Sequence, residues 1–181
     1  MIVRFTGFGG QGILLLGQIY GAAAALEGKR ALQTQSYGSS ARGGASKSDV
    51  TVLDGPIHEL EAETADVVVC LSQPAFDKYG PTVAGGGTLI YDSDLVKPRE
   101  TPASAVLSVA ATITAKEKFG SGLFANMLML GFVSGAAGAV DPDKVLEALL
   151  NRIPRKTAEN KTAFETGRRL AAEALDKRSD S

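Results

Sequence analysis

The chain has 181 residues, 44% of them hydrophobic and 22% charged, with a formal net charge of −1. That is enough chain to bury a substantial core within one domain spanning residues 1–181. The near-neutral balance and a pI of about 5.9 give no electrostatic footprint for nucleic acid, and the single cysteine excludes a disulfide framework or a cysteine-held cluster within this chain.

The N-terminal residues Ile2-Val3-Arg4-Phe5 read as a short strand and carry none of the basic-then-apolar pattern of a secretory leader. They lead into Gly7-Phe8-Gly9-Gly10-Gln11-Gly12, whose glycines at 7, 9 and 12 fit G-x-G-x-x-G. Glycine tolerates φ > 0 and lets backbone approach a ligand, and a helix start beyond it offers free N–H groups to an anion. A tight strand-to-helix turn without a ligand gives the same pattern, so both readings stand.

The first helix is expected over residues 11–26, closed by Glu27-Gly28. Gly17 and Gly21 share one of its faces and would allow close packing on a sheet. A second strand follows at residues 30–35. A nicotinamide-binding fold places an acid near this point to grip the ribose. The sequence there is Leu32-Gln33-Thr34-Gln35, with no acid, which disfavours that cofactor.

Residues 36–48 hold five serines, three glycines and two cations and read as a loop outside the core. It is either a mobile surface loop or an anion clamp. In the clamp, Arg42 supplies a planar fork, Gly43 and Gly44 expose backbone N–H groups, and Tyr37 and the serines complete the lining.

Asp49-Val50-Thr51-Val52-Leu53 alternates and ends in an Asp54-Gly55 turn. His58, the lone histidine, reads as surface or structural. Residues 66–71 contain three successive valines and read as a strand buried on both faces; Cys70 within it is a buried structural thiol. Ser72-Gln73-Pro74 opens a short helix, with Ser72 or Gln73 as its cap. Strands follow at residues 88–91 and 105–109.

The last third is helical. Residues 122–140 have only Asn126 and Ser134 as clearly polar members and read as a buried or interface helix rather than a membrane span. Asp141-Pro142 caps a helix to about Asn151, residues 158–175 form another, and residues 177–181 are a frayed tail. Alternating strands and helices predict a three-layer α/β, Rossmann-like domain with a mainly parallel sheet. In such a sheet the loops after the first, second and fourth strands and the loop at Asp92 share the ligand-binding edge. Gly9, Gly10, Gln11 and Gly12, the loop from Tyr37 to Lys47, and Ser72-Gln73 then line one crevice.

Several blocks taken together resemble one family. Gly7-Phe8-Gly9-Gly10-Gln11-Gly12, Gln33-Thr34-Gln35-Ser36-Tyr37-Gly38 and Ala41-Arg42-Gly43-Gly44-Ala45-Ser46 are similar to the gamma subunit of 2-oxoacid:ferredoxin oxidoreductases. Leu71-Ser72-Gln73-Pro74-Ala75-Phe76-Asp77-Lys78-Tyr79, Gly87-Thr88-Leu89-Ile90-Tyr91-Asp92, Ala125-Asn126-Met127 and Asn160-Lys161-Thr162-Ala163-Phe164 extend the likeness along nearly the whole chain. The 2-oxoglutarate and branched-chain branch is most similar and the pyruvate branch next. One departure is Ser39-Ser40, where the family commonly has Pro-Glu, so the role of that acid has no carrier here.

The resemblance implies a cytoplasmic multisubunit enzyme that oxidatively decarboxylates a 2-oxoacid with coenzyme A, giving acyl-CoA, CO2 and reduced ferredoxin. Thiamine diphosphate and iron–sulfur clusters would lie in the alpha, beta and, in some complexes, delta subunits, with none held by this chain alone. Gly9, Gly10, Gln11, Gly12, Tyr37, Arg42, Gly43, Gly44, Ser72 and Asn126 are the expected coenzyme A or partner contacts, with neither metal ligand nor membrane contact. Isolated, the chain is expected to be inactive and could pair as a homodimer. Two other readings remain: a free-standing nucleotide-binding oxidoreductase, and a scaffold whose glycine loops only pack against partners.

Overall fold

A computed structural model describes residues 1–36, 44–55 and 62–179, with the backbone alone at Ser179. Tyr37, Arg42, Gly43, the Ser39-Ser40 pair and His58 lie outside the described residues.

Six strands form one sheet: β1 (Ile2–Phe8), β2 (Arg30–Ser36), β3 (Ala45–Leu53), β4 (Ala65–Cys70), β5 (Val83–Asp92) and β6 (Ala105–Val109), in spatial order β2-β3-β1-β4-β5-β6. β1, β4, β5 and β6 pair in parallel, as their apolar sequences demand. β3 runs against both β1 and β2, so β2 points the same way as β1. The mainly parallel sheet expected from the sequence is present, with one reversed strand. That strand matters: the β2–β3 pair places β3, not β2, beside β1. The position from which a ribose-binding acid acts in a dinucleotide fold is therefore not adjacent to the glycine turn.

The helices are α1 (Ile13–Leu26), α2 (Gln73–Tyr79), α3 (Ala111–Phe119), α4 (Ala125–Ala137), α5 (Pro142–Arg152) and α6 (Thr157–Ser179). Val3, Phe5, Val50, Val67, Val69 and Ile90 point from the sheet into a core shared with α1, α3, α4, α5 and α6. The opposite face is thinner. Val68, Cys70 and Leu89 meet Phe76 of α2 and Val96 of the connection after β5. Alternation along each strand sorts side chains between these layers.

Small residues set the spacing. A β-carbon on Gly17 would fall on the Ser48 hydroxyl and one on Gly21 would touch Val50, so this glycine face seats α1 on β3, as its spacing predicts. The buried helix expected at residues 122–140 is α4, buried continuously from Met127 to Ser134. Gly131 of α4 lies against the Phe164 carbonyl and Gly167 of α6 against the Leu128 carbonyl, leaving no room for a side chain. Among the described residues no helix is long and apolar enough to cross a membrane.

Four sequence expectations need correction. The segment 36–48 is not wholly loop: β3 begins at Ala45, and Ser46 and Ser48 are buried. Serine fits there because the Ser48 hydroxyl accepts a 2.8 Å bond from Gln33 Nε2. The strand expected at residues 88–91 starts at Val83, and Gly85-Gly86-Gly87 lie within it where the register with β4 shifts between the Ala65–Val83 and Val67–Thr88 pairs. α3 was not anticipated; its residues alternate charged and apolar weakly, and its first turn is capped from β5 rather than by its own side chains. Finally, α6 continues through residue 179 instead of fraying at 177, held in part by Arg178 Nη2 donating to Ser104 O at 3.0 Å.

Candidate functional site

The parallel strands put the ends of β1, β4 and β5 at one edge, and a crevice of about 230 Å³ opens there. It is lined by Gly10 and Gln11 after β1, Leu71 after β4, Asp92 closing β5, Thr112 of α3, and Gly122, Leu123, Ala125 and Asn126 leading into α4. A larger hollow, about 520 Å³, lies under β6 and α6, away from the glycine turn. Ligands in open α/β sheets sit outside strand carboxyl ends, so the smaller crevice is the better candidate.

The turn is built by its glycines. Gly10 and Gly12 have φ of 90° and 77°, the left-handed region, and Gln11 N donates to Phe8 O at 3.2 Å. Gln11 is pinned beneath it. Its Oε1 accepts from Phe8 N at 2.6 Å and its Nε2 donates to Leu71 O at 2.8 Å. One side chain thus ties the ends of β1 and β4 together and floors the crevice. α1 then starts with no acidic residue in its first turn and no side-chain cap, leaving its leading N–H groups facing the turn. Asn126 closes over the turn: a β-carbon on Gly12 would lie 2.5 Å from Asn126 Nδ2.

The opposite wall is anionic. Asp92 is 2% exposed and accepts from Thr112 Oγ1 at 2.6 Å, Thr112 N at 3.2 Å and Asp94 N at 3.1 Å. Burial pushes its carboxyl above the usual aspartate range, against the pull of those hydrogen bonds. Asp94 Oδ2 takes Ile113 N at 2.7 Å. Two carboxylates therefore fill the start of α3, while the start of α1 stays open. The uncapped helix amides at the crevice therefore lie on the glycine side.

The structure brings Gly10, Gln11, Gly12 and Asn126 together, with exposed Gly9 at the turn's outer edge. Gly44 stands just before Ala45, which pairs with Phe8 in register, so the start of β3 lies at the same edge. Ser72 does not line the crevice. It is buried and its Oγ accepts from Ala75 N at 3.4 Å as the cap of α2. Gln73 Nε2 donates to Asp77 Oδ1 at 2.9 Å, and its Oε1 accepts from Lys97 N at 2.7 Å.

Sequence reasoning missed two features. The loop at Asp92 was placed on the ligand-binding edge, but the burial of Asp92 and its hydrogen bonds to the start of α3 were not anticipated. Arg4, inside an apolar run, is 1% exposed. Its Nε and Nη2 donate to Asp49 Oδ1 and Oδ2, both at 2.8 Å, and its remaining donors reach Ala62 O, Glu63 O and Thr82 Oγ1. An arginine between valine and phenylalanine, with an aspartate opening the next alternating strand, was the available signal. Cys70 does not fit cluster ligation: it is buried, and burial pushes its thiol up to about 12.

A six-stranded mixed sheet with a glycine turn at its switch point defines an α/β subunit of Rossmann-like class. Residues 2–170 match the pyruvate ferredoxin/flavodoxin oxidoreductase family, and the chain belongs to it. It is 42% identical to the 2-oxoglutarate synthase subunit KorC of Methanocaldococcus jannaschii over 94% of both chains. It is also similar to the keto/oxoacid ferredoxin oxidoreductase gamma subunit of Geobacter sulfurreducens, with a TM-score of 0.85, 38% identity, and coverage of 96% of this chain and 99% of that one. A likeness of fold extends to the 2-oxoglutarate:ferredoxin oxidoreductase of Magnetococcus marinus, a structure with 2-oxoglutarate, coenzyme A and succinyl-CoA bound. There the TM-score is 0.83 at 24% identity, over 96% of this chain and 31% of that one.

Proposed function

We propose that the chain is the gamma subunit of a cytoplasmic 2-oxoglutarate:ferredoxin oxidoreductase. The complex would convert 2-oxoglutarate and coenzyme A to succinyl-CoA and CO2, passing electrons to ferredoxin. The observation that carries this reading is the identity to 2-oxoglutarate synthase KorC across nearly the full length of both chains. Thiamine diphosphate and iron–sulfur clusters belong to the alpha and beta, and where present delta, subunits, since this chain offers one buried thiol and no cluster-forming donor set among its described residues.

Within the complex, this chain binds and orients coenzyme A and helps close the active site. Gly10 and Gly12 admit close backbone approach, the open first turn of α1 favours an anionic group, and Asn126 presents an amide N–H at the turn. Gln11 acts as the floor, since both ends of its amide are engaged within the chain. Leu123, 75% exposed at the lip, is suited to packing against a partner subunit that excludes water. Arg42 and Tyr37, from the loop after β2, complete the anion contact in this reading. Purification of the native complex tests the assignment: alpha- and beta-type companions must accompany this chain. In that complex Arg42→Ala should weaken coenzyme A use; an unchanged coenzyme A KM, turnover and assembly would overturn the role of the loop.

The internal engagement of Gln11 and Ser72 favours a second reading, a scaffold that contacts no small molecule. Coenzyme A titration of the assembled complex with and without Asn126→Ala separates the two.

A further inference from the structure

The two edges of the sheet are guarded differently. β2, at one edge, opens with Arg30 and is polar along most of its length. β6, at the other, reads Ala-Val-Leu-Ser-Val, and no charged residue, proline or glycine lies between Ser104 and Ala111. Val106 stands exposed on it. An apolar edge strand without such guards is a template for another strand, and folded proteins normally blunt it. Among the described residues no strand pairs with the far side of β6.

The hollow of about 520 Å³ runs along that open edge. One wall is the unbroken run from Val106 to Ala110. Side chains of a strand alternate between faces, so a hollow that meets every residue in turn follows the backbone edge. The Ser104 amide donates to Gly87 O of β5 at 3.0 Å. Alternation from there turns the N–H and C=O groups of Val106 and Ser108 toward β5, and those of Ala105 and Leu107 toward the hollow. The other wall is one stripe of α6: Leu170, Glu173, Ala174, Lys177 and Arg178, spaced at threes and fours. Phe132 of α4 adds to the floor. Arg178 Nη2 donates to Ser104 O at 3.0 Å and fixes the end of the helix at the start of the strand. α6 thus overhangs a length of open backbone.

Two observations select what fills it. A second copy pairing through its own β6 would be related by a two-fold axis normal to the sheet. Its α6 would then fall on the same face, in the space that this α6 overhangs. An extended segment with no helix of its own meets no such conflict. Charge is the second observation. Glu173 is bridged to Arg169 one turn away, whereas Lys177 and Arg178 bring two exposed cations to the end where β6 begins. That end suits a carboxylate, and Phe132, Leu170 and Ala174 suit apolar side chains.

We propose that β6 accepts an extended segment of a partner subunit as a further strand, with apolar side chains at alternate positions turned under α6 and an acidic residue beside Lys177 and Arg178. The proposal rests on reading the chain as a subunit of a complex, and not on the coenzyme A contact. Strand addition takes its affinity from main-chain bonds and its specificity from pockets for alternate side chains.

The test is hydrogen–deuterium exchange resolved to single amides, comparing the isolated full chain with the native complex. The Ala105 and Leu107 amides are expected to exchange at least tenfold more slowly in the complex, and Val106 and Ser108, bonded to β5 in both states, to change less. Two variants accompany it. Ala105→Pro removes one outward N–H at the first residue of the strand, where proline leaves the β5 ladder intact. Arg178→Glu reverses the charge at the rim and keeps the test open if proline disturbs the strand. Each is expected to weaken assembly about fivefold, the worth of one such bond. Equal exchange of Ala105 and Leu107 in the two states overturns the proposal. Slow exchange in the isolated chain that is lost on dilution marks a second copy and also overturns it. Full-strength assembly of both variants overturns it while leaving the subunit reading intact, and a native preparation with no companion subunit overturns both.

Discussion

At the scale of single residues, the buried polar groups divide into satisfied and orphaned. Arg4 and Asp49 are register partners on β1 and β3, and every donor of the guanidinium is used. Removing one partner strands a buried charge. Asp49→Ala is expected to cost about 3–5 kcal/mol in urea unfolding, whereas an apolar replacement of both residues costs less; equal losses would show that the pair is not coupled. Tyr20 is the opposite case. Its ring packs edge-on to Phe5 at 5.7 Å, and its hydroxyl is buried without a hydrogen-bond partner among the described residues. Tyr20→Phe should therefore raise the urea midpoint, by up to about 1 kcal/mol of stability, and a clear loss would reveal a partner such as an internal water. Asp92 is tested by pH. Burial raises its folded-state pKa above the unfolded value, so the native state holds the proton more tightly. The stability this contributes is present below the ordinary aspartate value of about 3.9 and is lost as pH rises through the raised value. The Tm of the natural protein minus that of Asp92→Asn should fall as pH climbs from that point; a flat difference would contradict the assignment.

At the scale of elements, close backbone contact between α4 and α6 is what holds the helical layer. Gly131 and Gly167 each face a carbonyl of the other helix. Gly167→Ala is expected to destabilise by about 1–3 kcal/mol or more through overpacking, while Gly85→Ala, which meets nothing within 4 Å, should change thermal unfolding little. The sequence made the strongly patterned elements readable. The valine run of β4, the Ala105–Val109 strand and the Asp141-Pro142 start of α5 carry local signals that tertiary packing reinforces. α3 was hidden because its N-terminus is capped by Asp92 and Asp94 from a distant strand, a signal with no local spacing. β3 was shortened because Ser46 and Ser48 look like loop residues until Gln33 and the paired strands satisfy them.

At the scale of the molecule, the sheet edge joins sequence-distant groups: the glycine turn, the start of α4 and the buried carboxylate of β5. The glycine turn was legible as a motif, and so was the absence of an acid at residues 32–35. The placement of β3 between β2 and β1, which separates the end of β2 from the glycine turn, was not legible. The burial of Asp92 was not legible, since it follows from the packing of α3 against the end of β5.

The central claim is that this chain supplies part of the coenzyme A contact inside an assembled 2-oxoacid oxidoreductase. Hydrogen–deuterium exchange of the native complex, with and without coenzyme A, tests it most directly. The account predicts slowed exchange on addition of coenzyme A in residues 8–16, which hold the glycine turn and the open start of α1, and in residues 122–127 beside Asn126. The hollow between β6 and α6 should show no change. Protection confined to that hollow, or absent from this chain while partner subunits are protected, would contradict the account.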